Sequence, residues 1–148
     1  MSKIHIAAER PVDAPAGRVY GFLADYREHH PRFLPPAFSD FRVEQGGVGA
    51  GTVVEFNLAL GGRKRASRQR VEEPTPGRVL TESDLDTGAV TTFTVTPEGD
   101  RSRVRIETAY DGAGGVSGCV ERLLAPLLLR RLYIDELTRL DRYARDHP

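Results

Sequence analysis

Residues 53–73 read VVEFNLALGGRKRASRQRVEE, and this stretch decides the fold. Its first half places four apolar side chains at every second position: Val54, Phe56, Leu58 and Leu60. A period of two is typical of a β-strand with one buried face. Gly61 and Gly62 then supply a tight turn, and the chain returns as a second strand over Arg63–Glu73. The stretch therefore predicts an antiparallel hairpin with one apolar face.

The returning strand could present either of two faces to the interior. One choice points Val71 inward and, with it, every second residue before it: Gln69, Ser67 and Arg65. The opposite choice buries Ala66 together with three cations: Lys64, Arg68 and Arg70. Because burying unpaired cations costs roughly several kcal/mol each, we expect the first choice. Arg65 would then lie at the open end of the sheet, near the Gly61-Gly62 turn.

Alternating segments on both sides of this hairpin extend the sheet. They mark five further strands: Lys3–Arg10, a strand around Phe41 and Val43, Val79–Asp84, Thr91–Val95 and Arg103–Tyr110. After the first strand, residues 15–24 predict a short helix. Asp25 and Glu28 have capping-box spacing for a second short helix, which Pro31, Pro35 and Pro36 bring to an end. The short links between consecutive strands favour hairpin neighbours in an antiparallel sheet of seven strands.

A long helix closes the chain, from about Ser117 to about Arg145, with Pro126 inside it. Its apolar stripe before the proline consists of Val120, Leu123, Leu124 and Leu127. The stripe after the proline consists of Tyr133, Ile134, Leu137 and Leu140. This helix is long enough to cover the apolar face of the sheet, which indicates the α+β class in one domain over residues 1–148.

One helix cannot touch a seven-stranded sheet everywhere, because such sheets twist and coil. The chain has no Trp and only 7% aromatic residues, so side chains fill the remaining space poorly. We therefore expect an apolar cavity that binds a ligand. The alternating strand positions and the first helix stripe predict the residues of the ligand-binding wall: Val54, Phe56, Leu58, Ser67, Gln69, Phe93, Val95, Val104, Ile106, Tyr110, Val120, Leu123, Leu124 and Leu127.

At these elements the chain resembles the START/Bet v 1-like (SRPBCC) superfamily, specifically its bacterial polyketide cyclase/dehydrase and lipid-transport group. The matching pieces, in order, are Val12-Asp13-Ala14-Pro15, Gly49-Ala50-Gly51-Thr52, Glu73-Pro74 and the long terminal helix. The resemblance implies a helix-grip fold: a curved seven-stranded antiparallel sheet wrapped around the C-terminal helix, with two short helices after the first strand. It also implies a hydrophobic ligand cavity, and it implies no single reaction.

Composition and motifs exclude several classes of function. Lys and Arg (21) balance Asp and Glu (21), so no charge excess attracts nucleic acid. The glycine-rich run 112–118 precedes a helix, but no parallel strand follows it, so we expect no dinucleotide cofactor. We expect no metal, because adjacent His29 and His30 face different ways and are better read as solvated histidines at the cavity rim. No carboxylate pair has meaningful spacing, and the catalytic residues stay unknown.

Three functions remain open at this level. The first is a carrier or sensor of a hydrophobic or amphipathic small molecule. The second is an enzyme of the polyketide cyclase, aromatase or dehydratase type that uses polar cavity residues, and the third is an interaction module that forms a homodimer. No apolar run approaches the roughly 20 residues that span a bilayer, so we expect a cytoplasmic protein that does not insert into membranes.

Overall fold

Seven strands and a long final helix form the framework of the fold. The computed structural model describes the backbone of residues 3–111 and 115–148, and the side chains of residues 3–111 and 126–148. The elements follow in this order: β1 (Lys3–Val12), α1 (Ala16–Ala24), a 3-10 helix (His30–Phe33), β2 (Phe38–Gln45), β3 (Val53–Leu60), β4 (Arg63–Thr75), β5 (Val79–Asp84), β6 (Val90–Glu98), β7 (Arg101–Asp111) and α2 (Gly115–Asp146).

The strands form one antiparallel sheet of seven, in the order β1-β7-β6-β5-β4-β3-β2, which curves around α2. This is the predicted α+β helix-grip architecture. The register places Val71 opposite Glu82, Glu82 opposite Thr91, and Thr91 opposite Thr108. Directly opposed residues in antiparallel strands share a face, so these four side chains all point to the concave side. The apolar and the polar parts of that side therefore follow from the strand pairing.

The segment between α1 and β2 differs from the second helix that the sequence predicts. Asp25 Oδ1 does accept the backbone N–H groups of Arg27 (3.0 Å) and Glu28 (2.9 Å), as a capping residue would. The residues after them form turns, however, and the 3-10 helix begins only at His30. Pro31 lacks the N–H that would continue an α-helical ladder, which explains the short 3-10 form.

Helix α1 closes one end of the concave face by packing across β6 and β7. Its buried residues Val19, Phe22 and Leu23 have the spacing of one helix face. The C-terminal half of α2 packs most extensively on β1, with Leu137 and Leu140 almost fully buried. The two helices thus cover different parts of the sheet.

Asp141 fixes α2 to the end of β1. Its Oδ1 accepts the backbone N–H of Asp13 at 3.0 Å, and its Oδ2 accepts Nη2 of Arg10 at 3.1 Å. Burial raises the pKa of Asp141, but these donors and the nearby Arg145 lower it more, so its pKa lies below the usual value. The pairing holds the helix axis against the sheet edge. No helix among the described residues has the length and apolar character to cross a membrane.

Candidate functional site

A cavity of about 870 Å³ lies between the concave face of the sheet and α2. Its size falls within the roughly 300–1,000 Å³ that holds one drug-sized ligand. Strands β2 to β7, α2 and the loops after the 3-10 helix and β5 supply the described wall. Its residues are Leu34, Phe38, Phe41, Phe56, Leu58, Leu60, Gly61, Arg63, Arg65, Ser67, Gln69, Glu82, Asp84, Thr87, Ala89, Thr91, Phe93, Thr108, Tyr110, Asp111, Leu128, Leu129, Leu132, Tyr133 and Glu136.

Apolar side chains of β2 and β3 line one side of the outer end of this cavity, and Arg63 and Arg65 of β4 lie opposite Leu60 and Leu58 there. Phe38 and Phe56 meet edge to face, with ring centroids 5.2 Å apart, and Phe41 stacks on Phe56 at 6.2 Å. Leu58 continues this surface along β3, and Leu128 reaches it from α2. The aromatic pairs fill this side without closing the space, so an apolar ligand body can lie against ring faces.

Strand β4 presents the side with Ser67, Gln69 and Val71 to the interior, which is the parity that the sequence favoured. Arg68 lies on the outer face, where it donates to Glu44 Oε2 at 2.7 Å. The outer face therefore pairs its cation with a carboxylate in solvent. The inner face carries neutral polar groups at the same level of the strand.

Six of the predicted wall residues line the cavity: Phe56, Leu58, Ser67, Gln69, Phe93 and Tyr110. Four others point to the same concave face but belong to the packed core: Val54, Val95, Val104 and Ile106. Val95, Val104 and Ile106 are covered because α1 packs on β6 and β7. Alternation predicts the face of a residue, and it does not predict which part of the face a helix covers.

Leu127 is a correction, because its side chain is 51% exposed. Ile134, which the second stripe includes, is also exposed. The neighbours Leu128, Leu129 and Leu132 line the cavity instead. An unbroken apolar run from 123 to 129 has no polar residue to mark the outer face, so spacing alone chose the wrong leucine. The predicted wall residues Val120, Leu123 and Leu124 lie outside the residues whose side chains are described.

Carboxyl side chains from two distant elements line the inner end of the cavity, a pairing that no spacing in the sequence predicts. Glu82 comes from β5 and Glu136 from α2. Glu136 is 3% exposed, and its Oε2 makes no hydrogen bond to a described residue. Tyr26 donates its hydroxyl to Glu82 Oε2 at 2.6 Å. Two acidic groups from opposite walls thus meet one interior space.

His30 lies behind these acids and is only 2% exposed, so the expectation of a solvated rim histidine is wrong for it. Its ring stacks on Tyr26 at 4.5 Å and on Phe33 at 4.9 Å between centroids. Nδ1 lies 2.6 Å from the Leu23 carbonyl oxygen, and Nε2 lies 3.7 Å from Glu136 Oε2. Because a carbonyl only accepts, Nδ1 carries a proton and Nε2 faces the acid.

The electrostatics of this inner end follow from burial and proximity. Burial raises the pKa of Glu82 most; the charge of His30 and the Tyr26 hydrogen bond lower it, the charge of Glu136 raises it, and the net pKa lies above 4.5. Burial lowers the pKa of His30, but the interaction with Glu136 and the charges of both acids outweigh it, so the net pKa lies above 6.5. Burial and the charge of Glu82 also raise the pKa of Tyr26. The groups therefore hold protons that exposed counterparts release at lower pH.

Asp84 is a structural acid on the same wall. Its Oδ2 accepts the Ser67 hydroxyl at 2.8 Å, and its Oδ1 accepts the backbone N–H groups of Asp86 and Thr87. Burial raises the pKa of Asp84, but these donors and Arg65 lower it more, so the net pKa lies below 3.8. Asp84 thus shapes the β5–β6 turn and orients Ser67.

Sequence signals for the inner acids existed but were ambiguous. Glu136 follows Tyr133 by three residues and precedes Leu140 by four, so it lies on the apolar side of α2. Glu82 shares its parity with Leu80 in a strand too short to choose a face. No spacing connects either of them to His30. In the described part of the chain, no three His, Cys, Asp or Glu side chains are placed to hold a metal ion.

The comparisons with known proteins agree with this fold. The sequence model of a family described as polyketide cyclase/dehydrase and lipid transport matches residues 3–145. The solution structure of the KanY protein is 32% identical in sequence, with a TM-score of 0.86, over 98% of this chain and 99% of that chain. No curated protein sequence gives a significant match.

Two enzymes of known structure are more distant. The Zhui aromatase/cyclase from Streptomyces sp. R1128 is 18% identical, with a TM-score of 0.80, over 97% of this chain and 94% of that chain. Norcoclaurine synthase from Thalictrum flavum is 18% identical, with a TM-score of 0.75, over 99% of this chain and 89% of that chain. At this identity the likeness shows the fold alone.

Proposed function

Because this chain belongs to the polyketide cyclase/dehydrase and lipid transport family, we propose that it binds one amphipathic small molecule between the sheet and α2. The apolar body of the molecule lies at the outer end, against Phe56 and Leu58, and its polar groups point to the inner end. As a carrier or sensor, the protein would need only this binding.

The observation that carries the proposal is that apolar and polar side chains line different parts of one continuous cavity. Aromatic and leucine side chains of β2 and β3 lie at its outer end, across from Arg63 and Arg65 of β4, whereas Gln69, Glu82 and Glu136 reach its inner end. An apolar ligand would leave the inner polar groups without hydrogen-bond partners. A wholly polar ligand would lose its hydration against the outer aromatic rings without gaining hydrogen bonds there. A ligand with both characters satisfies both ends, which selects an amphipathic molecule.

Gln69 adds a specific requirement. Its Nε2 donates to Ser67 Oγ at 3.1 Å, whereas its Oε1 is buried without a described partner. Burying an acceptor without a donor is costly, so a ligand hydroxyl or N–H group facing β4 would recover that hydrogen bond. We therefore propose a ligand that carries at least one hydrogen-bond donor, such as a phenol or an alcohol.

The second candidate is an enzyme of the cyclase, aromatase or dehydratase type. The acidic groups at the inner end favour it, since a ligand held against them is within reach of proton transfer. The same fold supports an aromatase/cyclase, and it supports a synthase whose structure contains dopamine and hydroxybenzaldehyde. Both candidates share the binding step, and they differ in whether the bound molecule is then released unchanged or converted.

Binding is tested with Nile red, an uncharged fluorescent probe, and a pair of variants on adjacent residues of β3. Leu58→Glu places a carboxylate in the apolar wall, and we expect at least about tenfold weaker binding, since desolvating that group opposes the probe. Ala59→Glu is the matched control, because Ala59 is exposed on the other face of the same strand. Equal affinity of both variants and the unchanged chain would contradict the proposed cavity.

Native mass spectrometry of protein purified from its own host identifies the ligand class. We expect a co-purifying small molecule that is released by organic solvent and is lost in the Leu58→Glu variant. A ligand that stays bound to Leu58→Glu would place the binding surface outside the cavity.

A further inference from the structure

The inner end of the cavity presents hydrogen-bond acceptors that the protein leaves unpaired. Glu136 is 3% exposed and lines the cavity, and its Oε2 makes no hydrogen bond to a described residue. Gln69 Oε1 is likewise buried without a described partner. Buried acceptors are costly unless some donor reaches them. The inner end therefore favours a ligand group that is rich in donors.

Three donors close to these acceptors already have partners inside the protein. Tyr26 donates its hydroxyl to Glu82 Oε2 at 2.6 Å, and the Ser67 hydroxyl donates to Asp84 Oδ2 at 2.8 Å. Gln69 Nε2 donates to Ser67 Oγ at 3.1 Å. None of these groups can turn to another acceptor without losing the hydrogen bond that it makes. Further donors at the inner end must then come from the bound molecule.

The inner end also has more acidic than basic side chains. Glu82 from β5 and Glu136 from α2 both line the cavity there. The cations among the described lining residues, Arg63 and Arg65, lie on β4 at the outer end. His30 Nε2 lies 3.7 Å from Glu136 Oε2, and one imidazolium balances only one carboxylate. A second buried carboxylate thus lacks a cation among the described residues.

We propose that the polar group of the ligand is a protonated amine, held between Glu82 and Glu136 at the inner end of the cavity. The inference rests on the proposed binding of an amphipathic molecule in this cavity, and it specifies the head group of that molecule. An ammonium group brings a positive charge and up to three N–H donors, and it has no acceptor of its own. A hydroxyl brings a single donor together with acceptor lone pairs, so it pairs less well with two acids. The ligand class is an arylalkyl amine, since aromatic side chains line the outer end.

Both carboxyls are held in place from behind, which prepares them for a cation. The His30 ring stacks against Tyr26 and Phe33, and its Nε2 faces Glu136 Oε2. Tyr26 also holds Glu82 through its hydroxyl, which leaves the second carboxyl oxygen of Glu82 for a ligand. Side chains that are already oriented lose little freedom when a ligand binds. His30 and Tyr26 are therefore positioning residues for the two acids.

The affinity for an amine should increase with pH. The titratable groups near Glu82 are Tyr26, His30, Tyr133 and Glu136. Burial contributes most to a net pKa of Glu82 above 4.5, so this group keeps its proton at pH values where an exposed glutamate has lost it. As the pH rises, Glu82 loses its proton and His30 loses its charge, and both changes make the inner end more negative. The pKa values of both tyrosines are raised, so their hydroxyls stay neutral, and an alkyl amine stays protonated to roughly pH 9.

Three naphthalene compounds of similar size test the charge of the head group. The cation is 2-(1-naphthyl)ethylamine, the neutral compound is 2-(1-naphthyl)ethanol, and the anion is 1-naphthylacetate. Calorimetric titration of the full chain near neutral pH gives their dissociation constants. We expect the amine to bind at least about tenfold more tightly than the alcohol, since charge-assisted hydrogen bonds are stronger than neutral ones. The acetate should bind most weakly, because its charge repels the inner acids.

Glutamine variants of the two acids keep the side-chain shape and remove the charge. We expect Glu136→Gln and Glu82→Gln each to weaken amine binding about tenfold or more, with a change of less than about twofold for the alcohol. A merely structural role would weaken both ligands together, so the ratio of the two dissociation constants is the readout. Glu107→Gln on β7 is the control, since its side chain is 42% exposed and pairs with Arg105. Glu82→Gln keeps the pair of His30 with Glu136, so it provides the test if thermal melting shows that Glu136→Gln does not fold.

A pH series with the amine and the alcohol, between about pH 6 and 8.5, completes the experiment. The dissociation constant of the amine should fall over this range, that of the alcohol should not, and Glu82→Gln should reduce the fall. A chain that binds Nile red but binds the alcohol or the acetate as tightly as the amine overturns the inference, and so does one that binds Nile red and none of the three. Glutamine variants that keep the full preference for the amine overturn it too. A chain that binds neither Nile red nor any naphthalene compound contradicts the proposed function instead.

Discussion

His30 Nε2 lies 3.7 Å from Glu136 Oε2, and the two side chains are only 2% and 4% exposed. This pair joins the short 3-10 helix near the N-terminus to the last helix, across the inner end of the cavity. Removing one member of a buried pair leaves the other without compensation, which typically costs about 3–5 kcal/mol. The pair therefore supports the fold at a place where Glu136 also lines the cavity.

The pair predicts a pH dependence of stability. The pKa of His30 is raised above 6.5 in the folded chain by the two nearby acids, Glu82 and Glu136, despite its burial. Its charge thus stabilises the fold fully below pH 6.5, and this contribution is lost as the pH rises through the folded-state pKa. We expect the free energy of unfolding to decrease over this range and His30→Gln to remove that decrease, measured by urea denaturation.

The exposed histidine His5 on β1 provides the control for this measurement. In the variant His5→Gln, the free energy of unfolding should decrease with pH as steeply as it does in the unchanged chain. If the free energy of unfolding of His30→Gln decreases with pH just as steeply, another group is responsible for the pH dependence.

Phe93 and Phe56 test the inner and outer parts of the concave face. Both are buried, at 2% and 7% exposure, and Phe93 meets the His30 ring edge to face at 5.6 Å. We expect Phe93→Ala to cost about 3–5 kcal/mol in the free energy of unfolding and Phe56→Ala to cost less, since it enlarges an existing cavity. Val48→Ala, at a residue 65% exposed, should change stability little. Unchanged melting temperatures for both phenylalanine variants would show the face assignment to be wrong.

Gln69 and Arg68 compare the two faces of β4. Gln69 lines the cavity with a buried, unpartnered Oε1, whereas Arg68 pairs with Glu44 outside. We expect Gln69→Leu to tighten Nile red binding about threefold or more, because an unpaired acceptor no longer faces the apolar probe. Arg68→Leu should leave the dissociation constant unchanged. The reverse pattern would place the arginine face inside.

Asp84 predicts an acid-dependent loss of stability. Donors from Ser67 and the backbone lower its pKa below 3.8, so its contribution is present above that pH and is lost as the pH falls through the folded-state pKa. We expect Asp84→Asn to destabilise the fold by about 2 kcal/mol at neutral pH, since charged hydrogen bonds are replaced. Near pH 3, the difference in the free energy of unfolding between Asp84→Asn and the unchanged chain should be smaller. Asp86→Asn, at an exposed residue of the same turn, serves as the control, and a pH-independent difference would argue against an ionised Asp84.

The sequence alone determined the fold class and the face of each long strand. In β3 the period of two places Phe56 and Leu58 on one side, and in β4 the cost of burying Arg68 selects the side of Gln69. These are local properties, because side-chain direction repeats every second residue and desolvation acts on each charge separately. They hold whichever partner later packs on the strand.

The tertiary structure alone decided which parts of the concave face are cavity and which are core. Val104 and Phe93 lie on the same face, yet only Phe93 borders the space, because α1 covers the other end of the sheet. The meeting of His30, Glu82 and Glu136 is likewise invisible in the sequence. The residues come from three elements that are distant along the chain, and only the curvature of the sheet and the docking of α2 on β1 bring them together. Local periodicity contains no information about such distances.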